Sequence, residues 1–125
     1  MKKDICGRED ILQLMKLFYK KLLADDSISY LFTEVAKIDL LPHLDILVDF
    51  WDSILFQNDV YRKNAMQPHL ALHHQSPLHK KHFETWLRYF NQSVDELFEG
   101  EKAFLAKERA LSIATVMQIK ISQLT

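Results

Sequence analysis

The sequence predicts an all-α protein, and three observations carry that prediction. First, its 125 residues include only two Gly and three Pro, which leaves few positions for the turns that β-hairpins need. Second, apolar residues in the long segments recur three or four positions apart, which is the spacing of one helix face, and no segment has a convincing strand pattern. Third, good helix formers such as Leu, Lys, Ala and Glu fill those segments. The length and the hydrophobic fraction of 48% predict that residues 1–125 form one globular domain.

The first predicted helix runs from about Arg8 to Ala24. Its apolar face consists of residues that recur at the helical period: Ile11, Met15, Phe18 and Leu22. Tyr19 lies three residues before Leu22 and therefore shares that face. The run Asp25-Asp26-Ser27 ends this helix and can cap a short helix that reaches Phe32. A looser stretch is expected over residues 33–38.

The next helix is predicted from about Leu40 to Phe56, with Asp39 as its N-cap and Pro42 tolerated in its first turn. Its inward face is wide: Leu40, His43, Leu44, Leu47, Phe50, Trp51 and Ile54. Residues 57–65 are polar and predicted to be irregular. A short helix is expected from about Met66 to His74, with Pro68 near its start.

Ser76-Pro77 is typical of a helix start, because an N-cap residue is followed by Pro at the first helical position. The helix predicted from there to about Leu97 has this inward set: Phe83, Trp86, Leu87, Phe90, Val94 and Leu97. Glu99-Gly100 then turns the chain into the last helix, from about Glu101 to Leu124. The apolar face of that helix is Ala106, Ala110, Ile113, Met117 and Ile121.

Four residues with polar groups lie on or beside the apolar faces of four different helices: Tyr19, His43, His69 and Trp86. A buried polar group costs free energy unless it finds a partner. Four such side chains directed inward from separate segments therefore predict that something is bound between the helices.

Composition excludes several other classes of function. A net charge of −1 gives no sign of a nucleic-acid or anionic-membrane partner. No apolar run approaches the roughly 20 residues of a membrane span, and the first residues lack the apolar stretch of a signal peptide. The single Cys6 allows no internal disulfide and fits a reducing compartment, so we expect a cytoplasmic protein.

Five short sequence motifs occur along the chain in this order: Leu17-Phe18-Tyr19-Lys20-Lys21, Pro42-His43-Leu44, Phe50-Trp51, Met66-Gln67-Pro68-His69-Leu70-Ala71-Leu72 and His82-Phe83-Glu84-Thr85-Trp86-Leu87. Together they resemble the third group of truncated haemoglobins, over nearly the whole chain. The resemblance implies a two-over-two helical sandwich around a non-covalent b-type haem. No Cys-x-x-Cys-His run is present for a thioether-linked haem.

The resemblance also implies roles for individual residues. His69 matches the proximal histidine that ligates the iron. Three residues match positions on the distal side: Tyr19, His43 and Trp86. Tyr19 and Trp86 are expected as donors, whereas His43 is a donor, a gate that swings out of the pocket, or an iron ligand when no other ligand is bound. Phe32 matches the phenylalanine that packs on the haem, and Leu47 matches the apolar position one turn after the distal histidine. The family often has Gly-Asn-Pro-Met before the proximal histidine, where this chain has Lys63-Asn64-Ala65-Met66.

A haem also needs an apolar slot and cations for its propionates. The expected lining residues are aromatic, aliphatic or sulfur-containing: Phe18, Phe32, Leu47, Trp51, Met66, Leu72, Phe83, Ile113 and Met117. Arg62 and Lys63 precede the proximal segment and are candidates to bind the propionates, and Tyr61 is a candidate hydroxyl donor.

The function implied is binding of O₂, NO or CO at the haem iron, in a donor-rich pocket that releases its ligand slowly. Nitric-oxide dioxygenation and peroxide chemistry both remain open. Nothing in the sequence is similar to a flavin or nicotinamide module, so such an activity would need a separate reductase. We expect a monomer or a weak oligomer.

Two other classes of function compete with this interpretation. His69 and His73 are four residues apart, and His79 and His82 three apart, which are spacings that can bind zinc on a helix. A small helical interaction module without haem is the other alternative, but it leaves the inward Tyr, His and Trp residues unexplained.

Overall fold

The protein folds into helices throughout the part that its structure, a computed structural model, describes. That part comprises residues 2–57 and 66–123, with side chains for all of them except residues 66–68, 70 and 74. Within these ranges there is no strand. The elements in chain order are α1 (Arg8–Leu23), α2 (Asp26–Tyr30), a π-helical turn (Leu31–Val35), α3 (Leu40–Phe56), α4 (Met66–Gln75), α5 (Lys80–Leu97) and α6 (Glu101–Ser122).

The long helices form two layers. α1 packs on α3 in one layer and α5 packs on α6 in the other, and the α1–α5 and α3–α6 contacts join the layers. The all-α class and the two-layered arrangement expected from the sequence are therefore confirmed. The described helices are each too short or too polar to cross a membrane.

Phe90 lies at the centre of the core and is completely buried. Its ring is stacked on Trp51 of α3, with 4.9 Å between the ring centroids, and on Trp86 of α5 at 5.8 Å. Phe18 of α1 meets the same ring edge-on at 5.3 Å. Aromatic rings bury large apolar areas and prefer stacked or edge-on contacts, so this cluster fixes α1, α3 and α5 against one another.

The predicted extents of α1 and α3 are confirmed to within a residue. The short helix after Asp25 is also confirmed, and Asp25 caps it by accepting a hydrogen bond from the Ser27 backbone N–H. The looser stretch predicted for residues 33–38 is wrong for its first half. Residues 31–35 instead form the π-helical turn, whose wider backbone spacing is often found at functional positions. The predicted end of the last helix at Leu124 lies outside the described residues.

The predicted start of α5 at Ser76-Pro77 is wrong, because the helix begins at Lys80 after an N-cap at His79. The His79 side chain accepts a hydrogen bond from the His82 backbone N–H. In return, His82 Nδ1 accepts one from the His79 backbone N–H at 2.9 Å. The two imidazoles thus take the capping role that was expected of Ser76. The preceding Leu78 backbone N–H donates to His73 Nδ1 of α4 at 3.0 Å, which ties this connection back to α4.

The start of α6 is capped by a residue almost a hundred positions away. The carboxylate of Asp4 accepts hydrogen bonds from the backbone N–H groups of Lys102 and Ala103, each at 2.8 Å. Gly100 precedes them with φ 137° and ψ −167°, a region open essentially to glycine alone. A Cβ at Gly100 would lie 2.6 Å from Asp4 Cγ, so Gly100 allows the N-terminal segment to approach α6.

We predict that Gly100→Ala lowers the free energy of unfolding by about 1–3 kcal/mol, because alanine is strained at this φ and displaces Asp4. Gly7→Ala is the matched control, since Gly7 is also a helix N-cap but has extended backbone and nothing within 4 Å of an added Cβ. Chemical denaturation of both variants measures the difference. Equal losses in the two variants would contradict the role given to Gly100.

A second prediction concerns pH. Burial, and then the charge of His79, lower the pKa of His82. The unfolded chain therefore takes up this proton near pH 6.5, while the folded chain takes it up only at a lower pH. The stability contributed by His82 is present above about pH 6.5 and is lost as the pH falls toward its folded pKa.

His82→Gln separates capping from titration, because glutamine is a good capping-box residue but carries no proton in this range. We expect its stability at pH 7.5 to stay within about 1 kcal/mol of the parent chain. Between pH 7.5 and 5.5 it should lose less stability than the parent chain. Urea denaturation of both proteins measures this difference. An identical pH dependence of stability would refute the contribution assigned to protonation of His82.

Candidate functional site

A tyrosine–histidine pair joins the two helices of the first layer. The Tyr19 hydroxyl of α1 and Nε2 of His43, in the first turn of α3, are 2.8 Å apart and form a hydrogen bond. Tyr19 is only 5% exposed, and His43 is half-buried. The periodicity of α1 put Tyr19 on the inward face, and the structure shows that this face meets the start of α3.

Both members of the pair are neutral near pH 7. Burial raises the pKa of the Tyr19 hydroxyl. Burial, and then the charge of His69, lower the pKa of His43. A neutral phenol and a neutral imidazole share the hydrogen bond in either of two ways: Tyr19 donates to Nε2, or Nε2–H donates to the Tyr19 oxygen. In the second arrangement the Tyr19 O–H remains free to donate elsewhere.

The Tyr19 ring is held by other aromatic rings. Phe32, on the π-helical turn, meets it edge-on with 5.5 Å between centroids, and the adjacent Phe18 does so at 5.6 Å. Phe32 is half-buried. The π-helical turn therefore brings the Phe32 ring into contact with Tyr19, and the contact of Phe32 with haem stays a prediction.

A polar contact at the other end of α1 fixes its position on α3. The Arg8 guanidinium donates through Nη1 to Asp52 at 3.0 Å and through Nη2 to Asp49 at 2.7 Å. Asp52 is buried, with 3% of its surface exposed. A charge-assisted pair of hydrogen bonds to two carboxylates has defined geometry. It therefore fixes α1, which carries Tyr19, relative to α3, which carries His43. Apolar periodicity did not predict this contact between α1 and α3.

Trp86 of α5 presents an indole N–H that is not used elsewhere in the described chain. One face of its ring stacks on Phe90, and Phe18 meets it edge-on at 5.6 Å. The residue is half-buried, and its N–H forms no hydrogen bond to another described residue. Because an indole N–H can only donate, Trp86 could act only as a hydrogen-bond donor.

His69 lies on α4, which packs on α6 and on the π-helical turn, whereas α3 packs on α1 and α6. His69 is half-buried and is close enough to His43 for its charge to lower the pKa of that residue. The histidines of α3 and α4 thus lie close enough to interact electrostatically, and both of their helices pack on α6.

The predicted lining residues fall into three groups. Leu47 of α3 and Leu72 of α4 are half-buried and pack against the main core. Phe83 and Met117 form a second apolar cluster with Ala114 and Ile121, and Ile113 packs against both clusters. Trp51 is buried with its ring stacked on Phe90, so most of its surface is used in core packing.

An open groove of about 510 Å³ lies between α3 and α6. Its lining is mostly apolar: Phe50, Ile54, Gln57, Arg109, Ser112, Ile113, Val116 and Met117. Of these residues, Ile113 and Met117 are predicted haem contacts. Phe50 and Ile54 were expected on the inward face of α3 but not in the site. Their three- and seven-residue spacing from Leu47 was the available signal, because it continues the same helix face.

Some predicted residues cannot be placed. Arg62, Tyr61 and Lys63 lie outside the described residues, and the Met66 side chain is not described although its backbone begins α4. The zinc alternative gains no support, since the described residues contain no group of three or more His, Cys, Asp or Glu that could hold a metal ion. His79 and His82 are instead engaged in capping α5.

The side chains present suit a haem. His69 offers an imidazole, which is the usual protein ligand of haem iron in globins. Half-buried apolar residues of α3, α4, α5 and α6 offer walls that an apolar ring can cover, namely Leu47, Leu72, Trp86 and Ile113. Tyr19 and His43 add neutral polar groups, which avoid the cost of a buried charge.

Comparison with known proteins gives consistent results. A family model described as bacterial-like globin matches residues 3–122. The group 3 truncated hemoglobin ctb of Campylobacter jejuni subsp. jejuni serotype O:2 is 26% identical over 121 residues, which cover 94% of this chain and 93% of that protein. The crystal structure of the group III truncated hemoglobin from Campylobacter jejuni has a TM-score of 0.85 at 25% identity. That match covers 97% of this chain and 95% of the other.

These matches confirm the resemblance to group III truncated haemoglobins that the five sequence motifs indicated. The family match spans nearly all of the chain, including every helix that carries a candidate site residue. The chain therefore belongs to the bacterial-like globin family and is a haem protein of the globin type.

Proposed function

We propose that this protein binds O₂, or another diatomic ligand such as NO or CO, at a b-type haem whose iron is held by His69. The observation that carries the proposal is the hydrogen bond of 2.8 Å between the Tyr19 hydroxyl and His43 Nε2, with the Tyr19 side chain almost fully buried. The haem supplies an iron centre with one position for a protein imidazole and another for a small ligand. We further propose that residues 1–125 act as one domain in the cytoplasm, where an exposed free Cys6 stays reduced.

The roles of the protein groups follow from their protonation. A ligand that gathers negative charge is stabilised by hydrogen-bond donors and not by acceptors. Tyr19 supplies a donor when His43 Nε2–H is directed at the phenol oxygen, because the Tyr19 O–H is then free. Trp86 supplies a second donor whose N–H has no competing partner among the described residues. His43 thus acts by setting which way the Tyr19 proton points.

Removal of the proximal imidazole tests haem ligation. We expect His69→Ala to lose the sharp Soret band of haem-loaded protein, because haem is then held by apolar contacts alone. His73→Ala, one turn further along α4, is the matched control and should keep the band. The measurement is an absorption titration with one equivalent of haemin, followed by reduction and CO addition. An unchanged spectrum in His69→Ala would exclude His69 as the ligand.

Removal of the distal hydroxyl tests ligand stabilisation. We expect Tyr19→Phe to raise the O₂ dissociation rate about 10- to 100-fold, which corresponds to the loss of roughly 1.5–3 kcal/mol from one hydrogen bond to a charged acceptor. The matched control is Tyr30→Phe, since Tyr30 also pairs its hydroxyl with a histidine Nε2, that of His82 at 3.0 Å. Stopped-flow displacement of O₂ by CO measures both rates. Equal rates in Tyr19→Phe and the parent protein would contradict the donor role.

A further inference from the structure

Helix α6 is apolar on two sides. Its inner side is buried against the rest of the protein through Ala103, Ala106, Ala110, Ala114, Met117 and Ile121. Its outer side carries four large apolar side chains that are about half exposed or more: Phe104 at 63%, Leu111 at 52%, Val116 at 46% and Ile119 at 51%. Among the described residues, only Leu41 of α3 is another exposed large hydrophobic residue.

The four residues, here called the outer stripe, share one side of the helix. At 100° per residue, Phe104, Leu111 and Ile119 fall within about 80° of one another. Val116 lies at the edge of the stripe and also lines the groove between α3 and α6. The stripe runs about 22 Å along the axis from Phe104 to Ile119. A surface helix normally has a polar outer side, and exposed apolar residues are ordinary when scattered but mark an interaction surface when clustered.

We propose that the outer stripe is a homodimer interface, in which α6 packs antiparallel to α6 of a second copy of this chain. A two-fold axis near Leu111 places Phe104 of each copy beside Ile119 of the other. The stripe then meets itself, as a symmetric interface requires. The proposal is independent of which ligand the haem site takes.

The charges along α6 favour the antiparallel arrangement. Exposed Glu101 lies at the beginning of the helix and exposed Lys120 near its end. Neither has an ion-pair partner among the described residues. Antiparallel packing brings each Glu101 within one helical turn of the partner's Lys120, whereas parallel packing brings like charges together. The helix dipoles are also antiparallel in this arrangement, which is favourable.

A second copy suits this surface better than a membrane does. The exposed charged residues along α6 have both signs: Glu101 at its beginning, Glu108 and Arg109 side by side near its middle, and Lys120 near its end. An anionic membrane would select a uniformly basic border. The net charge of −1 adds almost no repulsion between copies.

One helix pair buries less than a standard interface of about 1,600 Å², so we expect a weak dimer with a dissociation constant on the order of 10 μM.

Sedimentation equilibrium of the full-length haem-loaded protein tests the interface. Between about 1 and 300 μM, the mass should rise from that of one haem-loaded chain, whose polypeptide is 14.8 kDa, toward twice that value. Leu111→Glu should raise the dissociation constant at least ~10-fold by burying a charge at the centre of the interface. Leu41→Glu is the matched control, because Leu41 is 73% exposed but lies on α3, and it should leave the constant unchanged. Circular dichroism confirms that each variant is folded.

A charge exchange tests the geometry. Lys120→Glu and Glu101→Lys should each raise the dissociation constant about 5-fold, because two symmetry-related pairs become repulsive. The double variant should restore the parent value. A protein that stays monomeric throughout the concentration range would overturn the proposal, and so would equal weakening by Leu41→Glu and Leu111→Glu. Failure of the double variant to recover would overturn the antiparallel arrangement.

Discussion

The packing of rings around Phe90 is the interaction on which the rest of this structure depends. One buried phenylalanine from α5 contacts Trp51 of α3 and Phe18 of α1, so three helices share a single contact centre. Side chains in such a centre have little freedom, because protein interiors are packed as densely as organic crystals. Phe18 is adjacent to Tyr19 and Trp86 stacks on Phe90. The donors of the candidate site are therefore fixed by the same rings that hold the core together.

The candidate functional site places polar side chains in its interior without burying an ionised group. Tyr19 and His43 would be costly to bury as ions, and burial moves the pKa of each in the direction that keeps it neutral. A pair of neutral groups can reverse the direction of its hydrogen bond by a change of tautomer, without moving a charge through an apolar region. This property suits a pocket that must hold a small polar ligand and also admit it. The proposed role of His43 as the group that directs the Tyr19 proton rests on that neutrality.

Helix ends are where local sequence reasoning was weakest. Ser76-Pro77 has the residue types of a helix start, yet α5 begins at Lys80 because His79 and His82 cap each other's backbone. The cap of α6 comes from Asp4, at the opposite end of the chain. Both outcomes have one physical reason. A backbone N–H at a helix start donates to whichever acceptor the tertiary fold brings nearest, and a short sequence window contains only some of the possible acceptors.

The sequence by itself determined the helical class, the extents of α1 and α3, and the inward positions of Tyr19, His43 and Trp86. Apolar periodicity is a local property, and it is readable wherever one helix face is buried. Only the tertiary structure decided which inward residues meet: that Tyr19 bonds to His43, that Trp51 is used in stacking on Phe90, and that α6 leaves an apolar stripe exposed. These outcomes depend on the angles and distances between helices, which side-chain packing across the whole chain sets.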